Sequence, residues 1–220
     1  MARHRSLGRD LFVRTLHGVR VSLAIALFAT LVSLVIGVTW GATAGYLGGR
    51  TDALMMRVVD VMYALPAVFI VIILTVVFDR SPATLLVAIG ATGWLTMARV
   101  VRGQALGLRH QGFVEAAIAA GAGPARIIRR HIVPNLLGPV VVYATLMIPQ
   151  MILIESFLSF LGIGIQEPLA SLGNLIADGA SDMESAPWIL LVPAACLVLI
   201  VFCFNFLGDG LRDALDPRER

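Results

Sequence analysis

Charged residues divide this chain into long uncharged runs. Val21 to Gly49 holds 29 residues without a charge, and at about 1.5 Å per helical residue that run exceeds the roughly 30 Å hydrocarbon core of a bilayer. Val61 to Phe78 and Ser81 to Ala98 hold 18 each, separated only by Asp79 and Arg80, a pattern that predicts a helical hairpin. Ile132 to Ile154 and Ser185 to Gly208 add runs of 23 and 24. The pattern therefore predicts an all-α, polytopic membrane bundle with five spans in one domain over 1–220. The spans fall at about 21–47, 58–78, 81–98, 134–155 and 186–207, with a cytoplasmic loop at 99–133. Gly37, Gly41, Ala44 and Gly45 in the first run favour close helix contact there.

Composition agrees with that pattern. Of the 220 residues 58% are hydrophobic and 14% charged, outside the soluble range. A domain this small leaves much of its surface facing the surroundings, so the surroundings are lipid. All 17 basic residues are arginine, because the chain has no lysine. They cluster between the apolar runs, where they orient a protein in a membrane rather than bind nucleic acid. Cys196 and Cys203 both lie in the last apolar run, and His4, His17, His110 and His131 are scattered. Neither set has metal-ligand spacing.

Several enzyme classes are excluded on the same grounds. A phosphate-binding P-loop needs a lysine, so this chain cannot itself be an ATPase. Neither His-Glu-x-x-His nor Gly-x-Ser-x-Gly occurs, which removes the metal-hydrolase and triad readings. No cofactor and no metal site is expected in the chain.

Arginine placement orients the spans. With the far end of the first span taken as one side, its loops and the carboxyl tail hold eleven arginines against six on the other, so that side is cytoplasmic. The conflict is the amino-terminal tail, whose Arg3, Arg5, Arg9, Arg14 and Arg20 fall outside. An odd span number with a basic tail on the wrong side predicts an additional upstream span in the native gene product. Outside also lies the segment from Glu155 to Ser185, with Glu155, Glu167, Asp178, Asp182 and Glu184 and no basic residue of its own. Its acidity is either a solvated surface or a seat for a partner. Asp60 and Glu155 stand at span ends, where structural pairing or a place near a gate suits them better than a proton relay.

The cytoplasmic loop is ordered by its own sequence. Phe113 to Ala120 is rich in alanine, Gly121 and Gly123 interrupt it, and Pro124 can open a second helix. In that helix Arg126, Arg129 and Arg130 share one face, with Ile127, Ile128 and Ile132 on the other. This predicts a helix pair on the membrane surface, its arginines against headgroups or water. Gly121 requires either a positive φ or a close partner contact.

Glu115-Ala-Ala-Ile-Ala-Ala-Gly121, followed after nine residues by His131-Ile-Val-Pro134, resembles the EAA signature of the membrane subunits of bacterial ABC importers. The resemblance extends through Gly8-Arg-Asp10, Gly18-Val-Arg-Val-Ser22, Ala44-Gly-Tyr-Leu-Gly-Gly49 and Met56-Arg-Val-Val-Asp60. It continues in Leu158-Ser-Phe-Leu-Gly162, Ala186-Pro-Trp188 and the tail from Asn205 to Arg218. The set is similar to the C-type permease of the dipeptide, oligopeptide and nickel importers, which have about six spans, so the first span looks absent here.

The resemblance implies a type I importer permease fold and a permease subunit that forms half of a translocation path. It implies Glu115, Ala116, Ala117, Gly121 and Pro134 as the residues that couple to an ATPase. The implied partners are a second homologous permease, two ATP-binding subunits that hold ATP and Mg, an extracytoplasmic substrate-binding protein and the lipid bilayer, with no nucleic acid. The implied location is the bacterial inner membrane, and the implied cargo a di- or oligopeptide, with nickel or another small solute as the alternative. No substrate-contacting residue is assigned. An ATP-independent carrier or channel subunit is the alternative from another class, and a non-functional fragment is a third.

Overall fold

The computed structural model describes residues 2–78, 81–165 and 169–215, with side chains from Asp10 onward. Arg80, Glu167, Arg218 and Arg220, counted in the charge pattern, lie outside the described residues, as do the side chains of Arg3, Arg5 and Arg9. In chain order the helices are α1 (Ala2–Leu47), α2 (Gly49–Tyr63), α3 (Ala67–Val77), α4 (Pro82–Leu108), α5 (Gly112–Ala119), α6 (Pro124–Ile127), α7 (Val133–Phe160), α8 (Leu172–Ser181) and α9 (Trp188–Leu215). Among the described residues, four stretches are long and apolar enough to cross a membrane: Asp10–Leu47, Pro82–Leu108, Pro124–Phe160 and Trp188–Leu215. The pair α2 and α3 passes the same test only when taken together, and it is bent by 80°.

Helix α1 packs along α4, and the two are held close by small residues. Gly37, Gly41 and Gly45 recur every four residues and so form one stripe. A Cβ added at Gly45 would lie 2.7 Å from Ala105 Cβ, and one at Gly41 would lie 2.9 Å from Val101 Cβ and closer still to the Ala98 carbonyl. Gly41→Leu should therefore force the helices apart and cost about 3 kcal/mol, seen as a lowered unfolding midpoint in detergent. Gly103→Leu, where an added Cβ meets nothing within 4 Å, should leave that midpoint nearly unchanged. Equal midpoints for the two variants would contradict the packing described.

Around this pair, α7 completes a core of buried Ala29, Ile89, Met97, Leu136 and Ile152. Helix α9 lies outermost, with Leu191, Val198, Leu199 and Phe202 all more than half exposed, as suits a lipid-facing helix.

At four places the helices do not follow the bounds of the apolar runs. The helix holding the first run begins well before residue 21, at Ala2. The run 61–78 is not one helix: α2 ends at Tyr63 and α3 begins after Pro66, which is extended at ψ 121°. Proline lacks the N–H a continuing helix needs and pushes the residue before it out of the helical region. Helix α4 does not stop at Ala98 but runs to Leu108, because its arginines find carboxylates on α2 (below). The connection called a loop over 99–133 is correspondingly shorter. Finally, the helix opened by Pro124 is not a separate surface helix. It passes through a π-helical turn, Ile128–Ile132, into α7 as one span of 37 residues.

Candidate coupling site

Helix α5 is short, and both of its ends follow from sequence. Its first turn holds Glu115, whose carboxylate suits the partial positive charge of a helix start. At the other end Gly121 has φ +79°, the Gly121 N–H donates to the Ile118 carbonyl at 2.9 Å, and the Ala122 N–H donates to the Ala117 carbonyl at 3.0 Å. This double bond pattern with a left-handed residue is a Schellman cap. Of the two reasons for glycine at 121, the backbone conformation is the one realised within this chain, since an added Cβ meets nothing within 4 Å.

One face of α5 is turned inward. Val114 is fully buried, and Ala117 packs against the same core beside Ala122 and Ile128. The Phe113 ring lies 6.5 Å from the His131 ring across the junction with α7. The opposite face is free: Glu115, Ala116 and Ala119 are exposed, and so is Ile118 at 52%. Short side chains and one branched apolar residue give that face a shallow relief suited to a groove. The structure thus brings Glu115 and Ala116 together outside and Gly121 to the capping turn, but it turns Ala117 toward its own protein.

Pro134 stands elsewhere, in the first turn of α7. Its ring opposes the carbonyl four residues back, and the helix answers by widening into the π turn, where the Val133 N–H reaches the Ile128 carbonyl. Within this chain Pro134 stands at the π turn that joins α6 to α7. Arg126, Arg129 and Arg130 are exposed, while Ile127 and Ile132 on the opposite side are buried.

Two ion pairs that the linear charge pattern does not reveal fasten α2 to α4 beside this region. Arg102 binds Asp52 with both ends of its fork, Nη2 to Oδ2 at 2.6 Å, and Asp52 is buried. Arg99 Nη2 meets Asp60 Oδ1 at 2.7 Å. The Trp40 indole N–H donates to the Met55 carbonyl at 3.2 Å. The bidentate pair is the stronger device, because it is partly buried and geometrically matched.

At the other end of the bundle, Glu155 is completely buried. Its carboxyl accepts from Ser22 Oγ at 2.7 Å, Ser159 Oγ at 2.8 Å and Ser156 Oγ at 3.3 Å. Ser22 Oγ in turn accepts the Leu172 N–H at 3.2 Å and Ser159 Oγ the Ile165 N–H at 3.3 Å. The motif residues Ser22 and Ser159, far apart in sequence, thus meet on one carboxyl that ties α1, α7 and α8 together. The acidic segment is also less isolated than its sequence suggests: Arg14 on α1 lies 3.8 Å from Asp178 on α8. Both side chains are more than half exposed, so the pair contributes at most about 1 kcal/mol. It nevertheless places a tail arginine beside the acidic segment.

The family model described as binding-protein-dependent transport system inner membrane component matches residues 37–220. The chain belongs to this family. The permease is 53% identical over 213 residues to the oligopeptide transport system permease protein OppC of Haemophilus influenzae, covering 97% of this chain and 68% of that relative. It is 54% identical over 215 residues to OppC of Escherichia coli, covering 98% and 71%. It is 47% identical to the dipeptide transport system permease protein DppC of Bacillus subtilis, covering 97% and 67%. Among solved structures, the MetNI methionine ABC transporter in an inward-facing conformation matches with a TM-score of 0.71 at 20% identity, over 94% of this chain and 98% of that one. An amino acid ABC transporter matches at 0.68 and 14% identity, over 93% and 94%.

The fold is therefore that of a type I ABC importer permease, a multi-pass protein of the bacterial inner membrane. Permeases of such importers work with a partner permease, ATPase subunits and a substrate-binding protein, and the ATP is hydrolysed by those partners. The ATP-independent carrier alternative is thereby removed.

Orientation gives a direct check. On a background lacking Cys196 and Cys203, a cysteine at Asp182 should react with an impermeant thiol reagent in intact cells, and one at Glu115 only after permeabilisation. Labelling of position 115 from outside would invert the topology.

Proposed function

We propose that this permease carries di- or oligopeptides inward, forming half of the path with a second permease. We propose further that the exposed face of α5 docks in a groove on an ATPase subunit. The cargo assignment rests on relatives named for oligopeptide and dipeptide transport at 47–54% identity. What supports the docking role is the build of α5: a capped helix with one face anchored by Val114 and Ala117 and the other presenting Glu115, Ala116 and Ile118. Movement of the ATPase subunits would act on α5 and pass through the continuous α6 to α7 helix into the bundle. Closure on ATP would pull the coupling helices together and turn the path outward, where peptide arrives from the binding protein, and hydrolysis would reset it. This is alternating access by rigid-body motion, biased by the binding of ATP.

The experiment is reconstitution. The chain, purified with its co-assembling subunits in proteoliposomes, should take up a labelled peptide only when ATP and the peptide-loaded binding protein are both present. Uptake of nickel but not of peptide would reassign the cargo, and uptake without ATP would remove the mechanism.

A further inference from the structure

The permease carries a polar face in the wrong place for lipid. On α4 the exposed residues include Thr96 and Arg99, and on α7 Gln150 is exposed between buried neighbours. Tyr63, at the end of α2, is 41% exposed, and its hydroxyl lies 2.5 Å from Thr96 Oγ1. The Arg99 guanidinium stacks over the Tyr63 ring at 3.9 Å while bonding Asp60. From the α4 start at Pro82, Thr96 is about 21 Å and Arg99 about 26 Å along the helix, inside a span of hydrocarbon length. Polar and charged side chains at that depth are costly against lipid and belong on a protein interior or a water-filled cavity. By contrast, the exposed residues of α9 between Trp188 and Cys203 are apolar.

Tyr63, Thr96 and Gln150 line a cavity of about 140 Å³ between the α2 to α3 bend, α4 and α7, with Arg99 and Asp60 beside it. Its wall adds Met62, Met147 and Met151 to Tyr63, Thr96 and Gln150. Methionine is flexible and polarisable, so such a wall adapts to apolar groups of many shapes. Hydroxyl and carboxamide groups beside it can donate to and accept from peptide amides. The break at Pro66, which leaves Tyr63 at a helix end, is what opens this wall.

We infer that Tyr63, Thr96, Arg99 and Gln150 line the aqueous path, and that Thr96, Tyr63 and Gln150 hydrogen-bond the backbone of a passing peptide while the methionines accommodate its side chains. The ligand class rests on the peptide-permease reading above; the path-lining itself does not. Asp60 and Arg99 form the rim of this face toward the coupling end, and being paired they carry no net charge that would favour one peptide over another.

Accessibility in the assembled transporter tests this. Single cysteines at Thr96 and Gln150, with Leu199→Cys as an apolar, exposed control on α9, are placed in the complex lacking Cys196 and Cys203 and reconstituted with its partner subunits. A hydrophilic methanethiosulfonate reagent needs a hydrated thiolate, so positions 96 and 150 should react at least about tenfold faster than position 199. Their modification should block peptide uptake, and the reaction rates should change when ATP and loaded binding protein set the transporter cycling. Rates at 96 and 150 as slow as at 199 would overturn the inference, placing this face against lipid or sealed beneath the partner permease. Two positions on two helices guard against one variant misfolding. If the complex moved another solute instead of peptide, the labelling pattern would stand while the peptide assignment fell.

Discussion

Gly121→Leu should leave the protein in the membrane and assembled, yet cut peptide uptake about tenfold. Insertion depends on apolar spans that this residue does not touch. Leucine in the left-handed region at φ +79° costs about 1–2 kcal/mol, too little to unfold the bundle. It is enough to unwind the Schellman cap formed by the Gly121 and Ala122 N–H groups, and with it the end of α5. At about 1.4 kcal/mol per factor of ten, a misfit of that size in a docked helix is sufficient for the expected loss.

Ala116→Asp should act in the same direction by a different route. Ala116 is exposed in this chain, so the aspartate costs nothing until a groove closes over it and desolvates the charge. Ala117→Asp is a poorer probe, because Ala117 already packs on the core of its own chain and its loss would mix folding with docking. Near-normal uptake and stimulated ATPase activity in both Gly121→Leu and Ala116→Asp would reduce α5 to a solvated surface helix.

The second large effect is expected at Glu155. Glu155→Ala removes the acceptor of three hydroxyls and leaves a buried void among them. Unsatisfied buried groups and the cavity together should cost about 3 kcal/mol or more, equivalent to a fall of about 6–12 °C in the unfolding midpoint for a chain of this size. Glu155→Gln keeps an acceptor oxygen and the volume, and since the hydroxyls can rotate to meet its amide, it should fall by far less. Because Ser22 also holds the Leu172 N–H, the Ala variant should loosen the start of α8, read as faster hydrogen exchange there. Equal midpoints for the Ala and Gln variants would mean that the carboxyl is not what ties the three helices.

Which parts of this were legible in the sequence follows from the range of the interactions involved. Apolar runs announce spans because hydrocarbon thickness imposes a length on them, and the alanine-rich stretch, Gly121 and Pro124 announce α5 and its turn because capping is local. Boundaries set by the first charge fail where that charge is neutralised at long range. Arg99 and Arg102 read as loop residues until Asp60 and Asp52, 39 and 50 positions away, pair with them on α2. The break at Pro66 was available from the proline itself but was masked by an otherwise uniform apolar run.

Glu155 shows the same limit at the site level. Read by position it is a span-end acid, whereas its partner Ser22 lies 133 residues away. Sequence offered one cue, the serines at 156 and 159 on the same helix. Ala117 shows the complement: its place in the motif is visible, but which side of α5 it faces depends on how α5 lies against α6, which spacing alone does not fix.

Whether α5 is where this permease meets an ATPase is decided by a cross-link. With a cysteine at Ala116 in the reconstituted complex lacking Cys196 and Cys203, and a short photoactivatable reagent attached, irradiation should join this chain to an ATP-binding subunit. The yield should change between nucleotide-free and ATP-bound states, while the same reagent at Asp182 on the outer side gives no such product. A product at position 116 only with lipid or solvent, in a complex that still transports, would place the ATPase contact elsewhere than on α5.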